Sequence, residues 1–102
     1  SFVVRYSASA RDDLARLYDF LLDRATTAED LDLAEQALAV IAAAVEGLRR
    51  SPFIYRKADD DPFLRELLIP SGHSGYVARF EIEDAATVTI LAVRHQLEDD
   101  YH

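Results

Sequence analysis

The second half of the chain contains three strand-like runs whose connections are too short for a crossover helix. The runs cover residues 64–69, 75–82 and 87–95, and the segments between them read PSGHS and EDAA. A parallel pair of strands needs a crossover of a dozen or more residues, whereas an antiparallel pair needs only a tight turn. The three runs are therefore predicted to form an antiparallel meander.

Two amphipathic helices are predicted ahead of the meander. Apolar residues recur at three- and four-residue spacing over residues 10–25 and again over residues 31–48. Ser9 is the predicted N-cap of the first helix and Thr27 that of the second, because each hydroxyl precedes an acid by three residues. The connection between the helices is short, so they are expected to form an antiparallel αα-hairpin.

The remaining segments complete the predicted order of elements. Residues 2–6, FVVRY, alternate as in a strand, whereas residues 53–63 carry three acids and Pro62 and are predicted to be a loop or an irregular crossover. The order is β-α-α-β-β-β. We expect an α+β fold with two layers, in which the antiparallel αα-hairpin packs on one face of a four-stranded, mainly antiparallel sheet. The length suits a single domain over residues 1–102.

Composition and charge exclude several classes of function. The formal net charge of −8 disfavours general binding to nucleic acids, because phosphate backbones repel an acidic domain. Cysteine is absent, and three scattered histidines are a poor basis for a metal site, so no metal and no cofactor are expected. No apolar stretch approaches the roughly 20 residues that span a bilayer, and no leader-like segment opens the sequence. A cytoplasmic protein without membrane contact is the expectation.

Arg79 is the most informative polar residue in the middle strand. Strand alternation puts it on the face opposite Tyr76 and Phe80, together with Glu81. If the helices cover the Phe80 face, the guanidinium lies on the open face, near Arg65 or Arg94 of the neighbouring strands. It either pairs with Glu81 or receives a phosphate or carboxylate group from a partner.

His95 is the last residue of the predicted third run. Continuous alternation places it on the same face as Thr89, on or beside the open side of the sheet. An imidazole there is either a general acid or base, or a hydrogen-bonded structural residue. Tyr101 follows in an acidic tail that is expected to be solvated.

Three long stretches, in this order, resemble the RelE/ParE superfamily of small toxins from bacterial toxin–antitoxin modules. They are VVRYSASARDDLARLYDFL, ALAVIAAAVEGLRRSPFIYRKA, and LRELLIPSGHSGYVARFEI followed by TVTILAVRHQLEDDY. Together they cover nearly the whole chain. The resemblance implies the same β-α-α-β-β-β order that the residue patterns predict.

Within the superfamily, the end of the last strand resembles the ParE-like branch. Val93, Arg94 and His95 match a Val-x-His stretch that is followed by charged residues in those proteins. The resemblance implies a toxin that poisons DNA gyrase by binding it and that a cognate antitoxin protein neutralises. Under this hypothesis the target-binding residues are Arg79, Arg94, His95 and Tyr101.

Two alternatives remain open at the level of sequence. One is a RelE-like endoribonuclease that cuts messenger RNA on the ribosome with Arg65, Arg79, His95 and Tyr101. Against it, Val77 stands where those nucleases carry an arginine. The other alternative is a non-toxic relative that acts only in antitoxin binding and operon repression.

Overall fold

The structure is a computed structural model that describes residues 1–72 and 74–97. These residues form an α+β fold, and the predicted order of two helices between the first strand and the later strands is confirmed. Two short 3₁₀ turns, Gly47–Arg49 and Pro52–Ile54, connect the second helix to the second strand. The elements are β1 Val3–Tyr6, α1 Ala8–Asp23, α2 Ala28–Glu46, β2 Arg56–Ala58, β3 Asp61–Ser71, β4 Ser74–Ile82 and β5 Thr87–His95.

The strands form one mixed sheet in the order β1-β5-β4-β3-β2. Neighbouring strands from β2 to β5 are antiparallel, which confirms the meander, while β1 pairs with β5 in parallel. The antiparallel helices lie on one face, where α1 packs over β5 and α2 over β3. The opposite face, called the open face below, carries Glu66, Val77, Arg79, Ala92 and Arg94.

The sheet has one more strand than the sequence predicts. Arg56–Ala58 was expected to be part of a loop but pairs with β3, which begins at Asp61 rather than at Leu64. Pro62 disfavours a strand because it cannot donate a ladder hydrogen bond. Here a register shift makes Ala58 the partner of Asp61 and Lys57 the partner of Arg65, so Pro62 has no partner in β2. The shift therefore lets a proline stand inside a strand.

Helix α1 begins one residue after Ser7, so the predicted Ser9 cap is wrong. The Ser7 hydroxyl oxygen accepts the Ala10 amide at 3.1 Å, and Ser9 lies inside the first turn. The same hydroxyl donates to the Leu91 carbonyl oxygen at 3.2 Å. Ser7 rather than Ser9 caps the helix because the Ser7 hydroxyl binds a free amide of the first turn and, at the same time, a carbonyl oxygen of β5.

The predicted cap of helix α2 is confirmed. The Thr27 hydroxyl oxygen accepts the Asp30 amide at 3.1 Å, while the Asp30 carboxylate accepts the Thr26 amide at 2.9 Å. These hydrogen bonds lower the pKa of Asp30, with the Thr26 amide as the largest cause. A lowered pKa means that the carboxylate stabilises the helix start above its ordinary pKa and loses this effect as the pH falls through the lowered value.

The hydrophobic core lies between the helices and the covered face of the sheet. Phe80 of β4 is fully buried at its centre, and its ring meets the ring of Tyr55 edge to face at 6.1 Å between centroids. Helix α2 contributes Ile41 and Val45, and β5 contributes Ile90. No helix of the described part of the chain is long and apolar enough to cross a membrane.

Candidate functional site

Arg79 lies on the open face, as predicted, and is part of an ion-pair network. Its backbone partners are Glu66 on β3 and Ala92 on β5. Its guanidinium nitrogens lie 3.5 Å from an Asp59 carboxylate oxygen and 3.7 Å from a Glu66 carboxylate oxygen. Glu66 is also bound to Arg56 at 2.9 Å. Arg79 is therefore neutralised by acids of β3 and of the β2–β3 turn rather than by Glu81.

His95 lies on the helix-covered side of the sheet, so its predicted placement with Thr89 is wrong. In the β4–β5 ladder, Arg79 pairs with Ala92 but Phe80 pairs with Ile90, which leaves Leu91 as an extra residue. One extra residue reverses the alternation of every side chain that follows it. His95 is therefore opposite Tyr76 at the edge of the covered face.

The imidazole of His95 has contacts on both sides. Its Nε2 atom lies 3.0 Å from the Ser74 hydroxyl oxygen, and its Nδ1 atom accepts the Leu97 amide at 3.2 Å. The ring also meets the Tyr76 ring at nearly right angles, with centroids 5.7 Å apart. Burial raises the pKa of Tyr76, so its phenol remains protonated at neutral pH. His95 is thus held by β4 and by the turn after β5.

Arg94 is on the open face, opposite Val77. Its guanidinium makes long hydrogen bonds of 3.3 Å and 3.4 Å to the carbonyl oxygens of His95 and Gln96. The side chain of Arg94 therefore folds back onto the backbone at the end of its own strand. Arg94 and His95, which the sequence analysis grouped together, are neighbours in space but leave the strand on opposite sides.

A groove of about 580 Å³ opens between α1 and the ends of β4 and β5. Helix α1 lines one wall with two charged and three apolar residues, and the most exposed of the apolar ones is Phe20, at 51%. The other wall combines polar and aromatic groups from the sheet. A volume of this size accepts one or a few side chains of a partner. Its lining residues are Asp13, Arg16, Leu17, Phe20, Leu21, Tyr76, Val93, Arg94 and His95.

None of the α1 residues of this groove was predicted as a site residue, and Asp13 is the buried charged residue among them. Its carboxylate is buried under α1, accepts the Val93 amide at 2.8 Å and pairs with Arg16. Strand β1 ends before it reaches Val93, so this amide has no partner strand, and the carboxylate replaces one. The sequence did hold a signal, because Asp13 follows Ala10 by three residues and precedes Leu17 by four, within the apolar stripe.

Arg65 is opposite Phe80 and so lies on the covered side of the sheet. Its guanidinium donates to the carbonyl oxygens of Pro62, Phe53 and Tyr55 at 2.8, 3.1 and 2.7 Å. It thereby fastens the segment between α2 and β3 to the sheet. Arg65 and Arg79 are therefore on opposite faces.

Tyr101 lies outside the described residues, so its assignment to the target-binding surface stays a prediction. Of the other predicted site residues, the structure brings Arg94 and His95 to the same end of β5 and leaves Arg79 further along the open face. Across residues 1–72 and 74–97, no group of three or more His, Cys, Asp or Glu side chains is arranged to hold a metal ion.

Two comparisons with known proteins agree with this fold. A family model described as the ParE toxin of the type II toxin–antitoxin system parDE matches residues 4–100. The chain is also similar in structure to a chain of the chromosomal ParDE TA system from P. aeruginosa, with 18% sequence identity and a TM-score of 0.73. The match covers 92% of this chain and 95% of that one. A comparison with curated proteins found no match.

Proposed function

Because the chain belongs to the family of ParE toxins of type II toxin–antitoxin systems, we propose that it arrests growth by binding and blocking a cellular enzyme. By family resemblance the target is DNA gyrase, and a cognate antitoxin neutralises the toxin. The family match over residues 4–100 is the observation that carries this proposal. The encounter with such a target takes place in the cytoplasm.

The groove and its rim are the proposed contact surface for the target. Aromatic residues and arginine dominate the energetics of protein interfaces, especially around a pocket that excludes water. The groove offers Phe20 on α1, Tyr76 on β4, and Arg94 and His95 at the end of β5. Arg79 is a secondary contact on the open face, since acids of this chain already balance its charge.

The contacts of His95 support a binding role rather than a catalytic one. A general base needs a free lone pair that faces the substrate proton. In His95, Nδ1 accepts the Leu97 amide and Nε2 contacts the Ser74 hydroxyl. Both ring nitrogens therefore serve the local structure, and what remains for a partner is the face and edge of the ring.

The ribonuclease alternative requires Arg65 and Arg79 to act on the same RNA. They lie on opposite faces of the sheet, and the Arg65 guanidinium is bound to three carbonyl oxygens of its own chain. The formal net charge of −8 would also repel the phosphate backbones of ribosomal RNA and messenger RNA. For these reasons we do not put ribosome-dependent cleavage forward as the function.

The antitoxin is proposed to present a segment rich in Lys and Arg. The net charge of −8 attracts such a segment and accelerates the encounter with it. Its apolar side chains would pack on exposed hydrophobic residues of the two helices, because Phe20, which lines the groove, and Leu31 on α2 are each about half exposed. Occupying this surface would also block access of the target.

Expression of the chain in growing bacteria tests the proposed function. The chain alone is expected to stop growth and to cause gyrase-dependent DNA breaks, and co-expression of the neighbouring gene product should prevent both effects. Phe20→Asp should abolish toxicity because it places a charge at the mouth of the groove. Phe63→Asp is the matched control, since Phe63 is equally exposed (52%) but is not one of the residues that line the groove, and it should stay toxic.

The other outcomes identify the alternatives. Cut transcripts without DNA breaks would replace the proposal by the endoribonuclease alternative. Normal growth of cells that contain the folded chain would support the other alternative, a non-toxic relative that acts only in antitoxin binding and operon repression. Equal toxicity of the Phe20 and Phe63 variants would show that the groove is not the contact surface.

A further inference from the structure

Three large hydrophobic side chains are exposed beside strand β2, and we call them the corner patch: Phe53, Ile54 and Phe63. Phe53 and Phe63 are half exposed, and Ile54 is 75% exposed. The rings of Phe53, in the 3₁₀ turn before β2, and Phe63, on β3, meet edge to face at 6.4 Å between centroids. Ile54 follows Phe53 in the same turn. Exposed apolar surface that is gathered in one place commonly marks a contact site for another protein.

The corner patch is held in place by contacts within its own chain. The Arg65 guanidinium donates to the carbonyl oxygens of Phe53, Tyr55 and Pro62, and it lies 5.4 Å from the centroid of the Phe53 ring. The Tyr55 ring packs on Phe80 in the core. Groups that are already ordered lose little conformational entropy when a partner binds. The patch is therefore well suited to association.

The corner patch and the groove lie at different ends of the sheet. In the β3–β4 ladder, Leu64 next to Phe63 is opposite Glu81, whereas Tyr76 of the groove lies five residues earlier on β4. Five residues of a strand span about 17 Å. A protein bound at the patch would therefore leave the groove accessible.

The charge around the patch differs from that of the rest of the chain. Residues 50–65 carry four Lys or Arg and three Asp, a formal net charge of +1, so the remaining residues carry −9. A segment rich in Lys and Arg, as proposed for the antitoxin, is attracted to those remaining surfaces. Nucleic acid fits poorly as well, because Arg56 is paired with Glu66 and the three Asp repel phosphate.

We propose that the corner patch is the contact between two copies of this chain. A two-fold contact sets each patch against the same patch of the other copy, so that apolar groups meet apolar groups. Two copies with a net charge of −8 repel each other, and the nearly neutral region around the patch is where they approach at a low electrostatic cost. Lys57, opposite Arg65 on β2, and Asp60, in the β2–β3 turn, give the region opposite charges that a two-fold axis can pair.

The size of the patch predicts a weak, reversible dimer. Three partly exposed side chains offer roughly 350 Å², since a large side chain covers about 150–250 Å². A stable interface buries about 800 Å² on each partner. We therefore expect a dissociation constant of about 100 μM. Toxicity does not require this dimer, because each copy carries its own groove, so the dimer and the proposed function stand or fall separately.

Sedimentation velocity of the purified chain tests the dimer. At a total concentration of about 5 μM, about a tenth of the chains should be dimeric, and at about 1 mM about four fifths. The average mass should accordingly rise from near 11.5 kDa towards twice that value. In nuclear magnetic resonance spectra, dilution should shift the amide signals of the corner patch and leave those of Leu17 and Phe20 on α1 unchanged.

Two variants make the result specific. Ile54→Asp places a charge in the patch and should raise the dissociation constant at least about tenfold. Leu33→Asp is the matched control, because Leu33 is also exposed (58%) but lies on α2, and it should leave the constant unchanged. Neither variant removes a buried side chain, and circular dichroism should show that both fold. A chain that stays monomeric at about 1 mM, or equal effects of the two variants, would overturn the proposal.

Discussion

Replacement of Phe80 by Ala should lower the free energy of unfolding by about 3–5 kcal/mol, the usual cost of truncating a buried phenylalanine. The ring is fully buried in the centre of β4 and packs edge to face on Tyr55. Its loss leaves a cavity between the sheet and α2 and removes the aromatic partner of the segment that leads into β2. Urea unfolding followed by circular dichroism measures the difference.

Phe63→Ala is the matched control for this prediction. Phe63 also has an aromatic partner, Phe53, at 6.4 Å between centroids, but it is 52% exposed. Truncation there should cost less than about 1 kcal/mol, because it removes one aromatic pair and creates no cavity. Similar losses for the two variants would contradict the assignment of Phe80 to the centre of the core.

The second large effect is expected at Asp13. Asp13→Ala should lower the free energy of unfolding by about 2 kcal/mol, since it removes a charged acceptor and leaves the Val93 amide buried without its partner. The cost stays below that of a fully buried ion pair because Arg16 remains 57% exposed to water. Urea unfolding measures this loss as well, and hydrogen exchange of the Val93 amide should become faster.

Two further variants separate the hydrogen bond from the charge. Asp13→Asn keeps an oxygen that can accept the Val93 amide and should lose less stability than Asp13→Ala. Asp12→Ala, at the exposed neighbouring position, should change stability by no more than about 0.5 kcal/mol. An Asp13→Ala variant as stable as Asp12→Ala would show that the carboxylate does not hold β5 to α1.

Local patterns in the sequence were sufficient for most of the fold. The short connections between runs predicted the meander, and Thr27 with Asp30 predicted the start of α2, because both depend on chemistry within a few residues. The short strand Arg56–Ala58 could not be predicted in the same way. Three residues are too few to show alternation, and Pro62 argued against pairing in that region.

The site was harder to predict because it depends on register. The run from Thr87 to His95 is apolar on both faces, so nothing in its pattern marks Leu91 as the extra residue. That single residue moves His95 from the open face to the edge of the groove. The face of Arg79 was predicted correctly because the extra residue is in β5, whereas the alternation of side chains along β4 is regular.

The most direct test of gyrase as the target uses purified components. DNA gyrase is given relaxed plasmid and increasing amounts of the folded chain, and the supercoiled product is measured. We expect the unmodified chain and Phe63→Asp to suppress supercoiling, and Phe20→Asp to leave it unaffected. Full supercoiling in the presence of a large molar excess of the unmodified chain would contradict gyrase inhibition by this protein.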